Sequence, residues 1–143
     1  MSTTEWNRER EMAGFCHRCH SEPADAPYKT CLKCRAWQLQ YTALHRETIY
    51  KKNLARYYLL KTEVLMHYSK GRMRCACDKC PETLKDFLTI DHINGGGEQH
   101  KREIGTWNIF RWCKENNFPE GFQVLCMNCN WAKRYSGICP HVA

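Results

Sequence analysis

The spacing of the cysteines constrains this chain more than any other feature. Eight of the eleven cysteines stand in four Cys-x-x-Cys pairs. Each such turn offers two thiolates to one tetrahedral ion, and two turns complete the ligand shell of a structural zinc. The first ten residues are polar and charged, with no apolar stretch typical of a secretory signal. We therefore expect zinc binding rather than disulfides, and a cytoplasmic location.

The first two pairs are close together in sequence and predict a zinc ribbon over residues 1–35. Cys16-His-Arg-Cys19 and Cys31-Leu-Lys-Cys34 are separated by eleven residues that include two prolines. A loop of this length can fold back and bring four thiolates to one ion. Because this short segment has almost no apolar core, we expect the metal to contribute most of the segment's folding energy.

Residues 36–71 are predicted to form a long connecting helix. Apolar residues recur at steps of three to five, basic residues fill much of the remainder, and Gly71 is the expected stop. Two interpretations stay open: a helix that contacts nucleic acid or forms a dimer, and a linker that packs its apolar side on the next domain. The predicted domains are thus 1–35, 36–71 and 72–143.

The C-terminal half predicts two short strands and at least one helix, so the chain is expected to be of the α+β class. Residues 87–94 form a β-rich stretch that runs into three glycines, which predict a turn. Residues 122–125 predict the second strand, and a helix is expected to begin near Asn130. Residues 103–116 carry apolar side chains at helical spacing.

The remaining two Cys-x-x-Cys pairs border the predicted strands and predict a second structural zinc. Cys75 and Cys77 compete for one place in this site, and the two-residue spacing to Cys80 favours Cys77. The predicted ligands of the second zinc are Cys77, Cys80, Cys126 and Cys129. Three residues have no paired spacing and receive no site: Cys113, Cys139 and His141.

Asp91, His92 and Asn130 are the residues that suggest chemistry. A hard divalent cation prefers oxygen ligands, which a carboxylate and an amide carbonyl supply. A neighbouring histidine can accept a proton from water near neutral pH. Adjacent residues of a strand point to opposite faces, so Asp91 and His92 share a site only if the strand bends, as the following glycines permit.

Charge and hydropathy limit the partners. Twenty-two Lys and Arg residues oppose fifteen Asp and Glu residues, giving a net charge of +7. This balance favours a polyanion, although a soluble basic protein without such a partner is the competing interpretation. No apolar run approaches the roughly 18 residues that span a bilayer, so no membrane association is expected.

The ordered motif resembles the HNH, or ββα-metal, nuclease family. It comprises Cys77-x-x-Cys80, then Leu-Thr-Ile-Asp91-His92-Ile-Asn94-Gly-Gly-Gly, then Leu125-Cys126-x-x-Cys129-Asn130-x-x-Lys133. Asn directly after the last cysteine pair is similar to the endonuclease VII-like branch found in phages. The resemblance covers about the C-terminal half of the chain. It implies a small zinc-stabilised ββα-metal domain, preceded here by the zinc ribbon and the long helix.

The resemblance also implies roles for individual residues. Asp91 and Asn130 would hold Mg²⁺ or Mn²⁺, and His92 would activate water to cut DNA, leaving 5′-phosphate and 3′-hydroxyl ends. An asparagine common in the family before the second cysteine pair is absent from the run 120–123, so Asn94 becomes the candidate for orienting His92. For a phage-encoded protein the location would be the host cytoplasm.

Some interpretations stay open at the level of sequence. Cutting both strands with one active site favours a homodimer, and RNA is not excluded as a target. The alternative function is a non-catalytic zinc module that binds nucleic acid. Trp107, Trp112 and Trp131 are assigned to the core rather than to base stacking. The candidate contacts to nucleic acid, each with an exposed-surface alternative, are Lys133, His100, Lys101 and Arg102.

Overall fold

The computed structural model describes residues 2–105, 108–137, 139 and 141. The described residues form six α-helices and a two-stranded antiparallel sheet, an α+β architecture. Internal contacts divide the chain into two compact units, Met1–Asn53 and Leu54–Ala143. Each unit contains cysteines grouped closely enough to bind zinc. Among the described residues, no helix combines the length and apolar character needed to cross a membrane.

The first unit begins with a helix that the cysteine pattern did not indicate. Helix α1, Thr3–Met12, starts with a capping box in which the Ser2 hydroxyl accepts from the Glu5 N–H and the Glu5 carboxylate accepts from the Ser2 N–H. Across residues 2–53, only Cys16 and Cys31 are buried. The interior of this unit is therefore its cysteine cluster, not an apolar core.

Two helices occupy the segment predicted as one helix over 36–71. Helix α2 spans Leu32–Leu44, helix α3 spans Arg46–Tyr68, and His45 lies between them. The His45 N–H donates to the Tyr41 carbonyl, so hydrogen bonding continues up to the junction. The boundary between the two units lies between residues 53 and 54, inside α3.

The sheet of the second unit matches the two predicted strands. Strand β1, Leu88–His92, pairs antiparallel with strand β2, Phe122–Cys126, and Leu88 lies opposite Cys126 while His92 lies opposite Phe122. Leu88 and Ile90 are buried, as the period of two in a strand requires for one face on the core. Asp91 and His92 are the last two residues of β1 and lie at the end of the sheet.

Besides most of α3, the second unit contains three α-helices, two between β1 and β2 and one directly after β2. They are α4, Gly97–Ile104, α5, Ile109–Glu115, and α6, Met127–Ser136. The prediction of one helix over 103–116 is wrong, because Gly105 adopts the left-handed conformation, with φ 60°, and ends α4. The helix expected near Asn130 is α6, and it begins directly after β2.

The core of the second unit combines aliphatic side chains with cysteines. Val64 and Leu65 of α3 are fully buried together with Leu88, Val124 and the cysteines near the sheet. Trp112 is partly buried against this core. Trp131 is 63% exposed, so its assignment to the core is wrong. Trp107 lies outside the described residues.

Candidate functional site

The first cysteine cluster lies in the first unit. The thiol sulfurs of Cys16, Cys19, Cys31 and Cys34 all lie within 4.8 Å of one another, so these residues could hold one metal ion, as the spacing predicted. Burial opposes ionisation of Cys16, but N–H groups of the main chain around it lower its pKa to about 6. His20 does not join the cluster, because its Nε2 lies 2.9 Å from the Glu11 carboxylate.

The second cluster forms where the loop before β1 meets the start of α6. Its members are Cys75, Cys80, Cys126 and Cys129, all buried and within 4.8 Å of one another. Cys77, the ligand predicted from spacing, lies outside this group, and Cys75 takes its place. The reason is tertiary, because the Ala76 N–H donates to the Val124 carbonyl and the Cys75 Sγ accepts from the Cys126 N–H at 3.3 Å.

Helix α6 connects this cluster to the candidate catalytic residues. Cys126 caps the helix, and its Sγ accepts from the Cys129 N–H at 3.3 Å. Asn130 and Lys133 follow on the same helix at a spacing of three, which places them on one face. The cysteines that could bind zinc therefore fix the position of Asn130 next to β1.

Asp91 is held by two partners that both use the same oxygen. The Gln123 amide donates to Asp91 Oδ2 at 2.8 Å, and the Lys133 ammonium donates to it at 2.6 Å. Lys133 also donates to the carbonyls of His92 and Ile93, at 2.6 and 2.9 Å. The Asp91 side chain is 12% exposed. With both contacts on Oδ2, Oδ1 is the oxygen that can serve a further ligand.

The side chain of Asn130 is oriented by a hydrogen bond to strand β1. Its side-chain nitrogen donates to the Thr89 hydroxyl at 3.0 Å, and Thr89 donates in turn to the Leu125 carbonyl at 2.9 Å. Because the nitrogen is the atom bound to Thr89, the carbonyl oxygen is the end of the Asn130 amide that can coordinate a cation.

His92 is paired with a second histidine. Its Nε2 lies 2.8 Å from Nδ1 of His100, a residue of α4. Phe122 packs on the His92 ring, with ring centroids 4.6 Å apart, and Trp112 packs on the His100 ring at 4.2 Å. Burial lowers the pKa of His92, and the neighbouring His100 lowers it further. Both effects favour the neutral form of the His92 ring over the protonated form.

These side chains line one cleft of about 620 Å³ in the second unit. Asp91, His92 and Asn130 all border it, so both members of the Asp-His pair reach a common space at the end of β1. Gly97 borders it as well, and an added Cβ there would lie 3.1 Å from His92 Nδ1. The basic residues along the cleft are Lys101, Lys133 and Arg134.

The remaining residues predicted for the site occupy different environments in the structure. Asn94 is exposed and, in the described part of the chain, makes no hydrogen bond to His92. His100, predicted as a contact to nucleic acid, faces His92 instead. All three hydrogen bonds of Lys133 are directed into the protein. Arg102 is exposed on α4, whereas Arg134, which the sequence analysis did not select, lines the cleft and lies 3.4 Å from Glu98.

The two kinds of donor set suit different ions. Four thiolates in a tetrahedral group suit zinc and leave no open coordination position. The Asp91 carboxylate and Asn130 carbonyl are hard oxygen donors beside a solvent-accessible cleft, which suits a magnesium-type cation that keeps several waters. Comparison with protein-family models, with curated proteins and with solved structures finds no match to this chain.

Proposed function

We propose that the chain is a metal-dependent DNA endonuclease of the HNH type. The observation that carries this proposal is that Asp91, His92 and Asn130 border a single cleft. They come from different elements, a strand and a helix, so chance proximity in sequence does not explain their meeting. A zinc module without catalytic activity would have no need for a neutral histidine next to two hard oxygen donors.

Asp91 and Asn130 would hold the catalytic Mg²⁺ or Mn²⁺. Asp91 has Oδ1 available, because both of its hydrogen bonds are made to Oδ2. When bound, the ion would neutralise charge on the scissile phosphate and on the leaving 3′ oxygen. The Thr89 hydroxyl accepts from the Asn130 side-chain nitrogen, so the amide oxygen would be the atom offered to the ion.

His92 would act as the general base. Its Nε2 is occupied by His100, so Nδ1, on the Gly97 side of the ring, is the nitrogen that takes the proton from water. This assignment requires Nε2 to carry a hydrogen and donate it to His100 Nδ1. Water then forms a bond to phosphorus as the bond from phosphorus to the 3′ oxygen breaks, and the leaving oxygen gains a proton from solvent.

The charge of the cleft suits DNA as the substrate. Lys101 and Arg134 line it, and Arg102 is exposed on the same helix as Lys101. Cations at these positions would neutralise backbone phosphates flanking the cut and release counterions. Hydrolysis by water needs no protein nucleophile and leaves a 5′-phosphate and a 3′-hydroxyl.

The test is cleavage of supercoiled plasmid by the zinc-loaded full chain, with added Mg²⁺ or Mn²⁺. We expect nicking or linearisation that His92→Ala reduces by at least about 10²-fold, the usual contribution of a general base. His67→Ala is the control. His67 lies in the same unit but stacks on Phe118 and does not line the cleft, so this variant should retain activity. Equal cleavage by wild type and His92→Ala, or none over a broad set of metals and DNA or RNA substrates, would overturn the proposal.

Wild type and His92→Ala also distinguish a nuclease from the alternative, a non-catalytic module that binds nucleic acid. In a gel-shift assay without divalent cation, the nuclease proposal predicts that His92→Ala binds DNA as tightly as wild type, because His92 is partly buried and the basic residues are unchanged. Binding by both proteins with cutting by neither would identify the module instead.

A further inference from the structure

Three residues outside the first two clusters form, together with Cys129, another group that could bind a metal. Cys77, Cys139 and His141 lie in the second unit, and none belongs to the group of Cys75, Cys80, Cys126 and Cys129. Their ligand atoms nevertheless lie within 4.8 Å of one another and of the Cys129 sulfur. A third four-ligand group therefore exists, and Cys129 belongs to both groups of the second unit.

The distances within the third group fit a tetrahedral ion. The Cys139 sulfur lies 3.4 Å from that of Cys77 and 3.3 Å from that of Cys129. His141 Nδ1 lies 3.2 Å from the Cys139 sulfur and 3.5 Å from that of Cys129. Tetrahedral Zn–S and Zn–N bonds place two sulfurs about 3.8 Å apart and a sulfur and a nitrogen about 3.6 Å apart. The observed contacts are shorter than these values by no more than about 0.5 Å, so the ligand atoms would need to move only slightly apart to surround an ion.

We propose that the second unit holds two zinc ions joined by one thiolate. One ion is bound by Cys75, Cys80 and Cys126, the other by Cys77, Cys139 and His141, and the Cys129 sulfur bridges both. The chain then carries three zinc ions in all, one of them in the first unit. The proposal does not depend on nuclease activity.

The chemistry of the ligands supports zinc at this position. Thiolates and imidazole are the ligands that zinc takes in structural sites, and four of them leave no open position. Cys77 and Cys129 are buried, so both sulfurs are shielded from solvent. Sharing Cys129 also limits charge: two ions with six thiolates and one neutral imidazole carry the same net charge as one ion with four thiolates.

The second ion would anchor α6 at both ends. The Cys126 and Cys129 sulfurs hold its N-terminus, and Cys139 and His141 follow the glycine that ends it, Gly137. Through the ion these two residues would be tied to Cys77, in the loop before β1. A helix fixed in this way cannot shift along its axis without breaking a metal bond.

The first experiment counts zinc. Full-length protein, produced with added zinc and purified without chelator, is analysed by mass spectrometry of the metal and by intact native mass spectrometry. We expect three zinc ions per wild-type chain and two in Cys139→Ala and in His141→Ala. Cys113→Ala removes a buried cysteine that belongs to no group and should retain three. Two ions in wild type, or unchanged counts in both variants, would overturn the second ion.

A rescue variant separates loss of a ligand from loss of folding. His141→Cys replaces one zinc ligand with another and should restore the third ion, with circular dichroism spectra unchanged across the series. If His141→Cys binds two ions although its spectrum equals that of wild type, His141 is not a ligand and the site is rejected.

The bridge is tested with cobalt in place of zinc. Two ions on one sulfur lie no more than about 4.6 Å apart, since each metal–sulfur bond is about 2.3 Å. We expect magnetic coupling between two Co²⁺ ions in wild type, seen as a reduced magnetic moment per ion, and none in His141→Ala. Three ions with no coupling in wild type would show that Cys129 does not bridge.

Discussion

The side chains of His92 and His100 meet nitrogen to nitrogen, with Nε2 of one 2.8 Å from Nδ1 of the other. At this distance one nitrogen must carry a hydrogen and the other must not. Two imidazolium rings would direct two N–H groups at each other, so the pair resists double protonation. Phe122 packs against the His92 ring and Trp112 packs against the His100 ring.

The first prediction concerns the titration of His92. Burial and the charge of His100 both lower its pKa from the ordinary 6.5, so His100→Gln, which removes one of these causes, should raise it. The measurement is an NMR titration of the ring protons in zinc-loaded protein without magnesium. His67→Gln should leave the His92 pKa unchanged. A His92 pKa that stays constant or falls in His100→Gln would contradict the prediction.

The same lowered pKa has a consequence for stability. Because protonation of His92 is easier in the unfolded chain than in the folded one, its contribution to folding is complete above pH 6.5. That contribution is lost as the pH falls from 6.5 through the folded-state pKa. His92→Gln should therefore show a weaker fall in unfolding free energy over this range than wild type, measured by urea denaturation at a series of pH values.

The second prediction concerns Gly97, the first residue of α4. Its backbone conformation suits any residue, but an added Cβ would lie 3.1 Å from His92 Nδ1, the nitrogen proposed to accept the proton. Gly97→Ala should reduce plasmid cleavage by about 10²-fold, because the methyl group blocks the approach of water to that nitrogen. Melting temperature and zinc content should be retained, since alanine favours helix.

The control for Gly97→Ala lies two residues further along α4. Gln99→Ala removes an exposed side chain that hydrogen-bonds to Glu103 and should leave cleavage unchanged. If Gly97→Ala cuts as fast as Gln99→Ala, Nδ1 is not the atom that takes the proton.

The third prediction concerns the ion pair between Lys133 and Asp91. Both side chains are mostly buried, and the ammonium group also serves two main-chain carbonyls. Lys133→Met should lower the free energy of unfolding by about 2 kcal/mol, because it leaves a carboxylate and two carbonyls without their donor. Urea denaturation in magnesium-free buffer measures the change.

A double-mutant cycle isolates the pair. The double variant Lys133→Met with Asp91→Asn should lose less free energy of unfolding than the sum of the two single variants, by about 1 kcal/mol. Lys114→Met is the matched control, because Lys114 and its partner Glu63 are both about half exposed. This variant should lose no more than about 1 kcal/mol of unfolding free energy. Strictly additive effects of Lys133→Met and Asp91→Asn would show that the contact contributes nothing to folding.

The fourth prediction concerns removal of metal from the first unit. Since only Cys16 and Cys31 are buried there, the structure between α1 and α2 depends on the ion that the four cysteines could hold. Cys31→Ser should abolish hydrogen-exchange protection over residues 13–31 while β1 and β2 stay protected. Cys113→Ser, outside the cysteine groups, should leave residues 13–31 protected. Protection of that segment in Cys31→Ser would contradict a metal-dependent fold.

Local spacing was enough to predict some parts of this molecule. The first cysteine cluster is defined by two turns a short loop apart, and the strands around Ile90 and Val124 follow from apolar runs that end in turn residues. The capping box at Ser2 and Glu5 was equally readable, and it marks a helix that the prediction omitted. In each case the physical cause lies within a few residues of its effect.

Other parts depend on contacts that no local pattern encodes. Cys75 replaces Cys77 in the second cluster because Ala76 pairs with Val124, a residue far away in sequence. His100 reaches His92 because Gly96 and Gly97 turn the chain back and start α4 there. The spacing of eight residues between the two histidines has no recognised meaning by itself. Asn94, which the family resemblance suggested as the residue that orients His92, is exposed.

Helix α6 carries both Cys129, which could bind zinc, and two residues of the cleft. Cys129 and Asn130 are consecutive, and Lys133 follows within one turn. A single residue inserted after Cys129 would rotate both Asn130 and Lys133 by about 100° around the helix axis and direct them away from Asp91. An insertion or deletion between the Cys129 sulfur and the Asn130 amide would therefore separate the cysteine cluster from the cleft, whereas substitutions on the exposed side of α6 would not change this spacing.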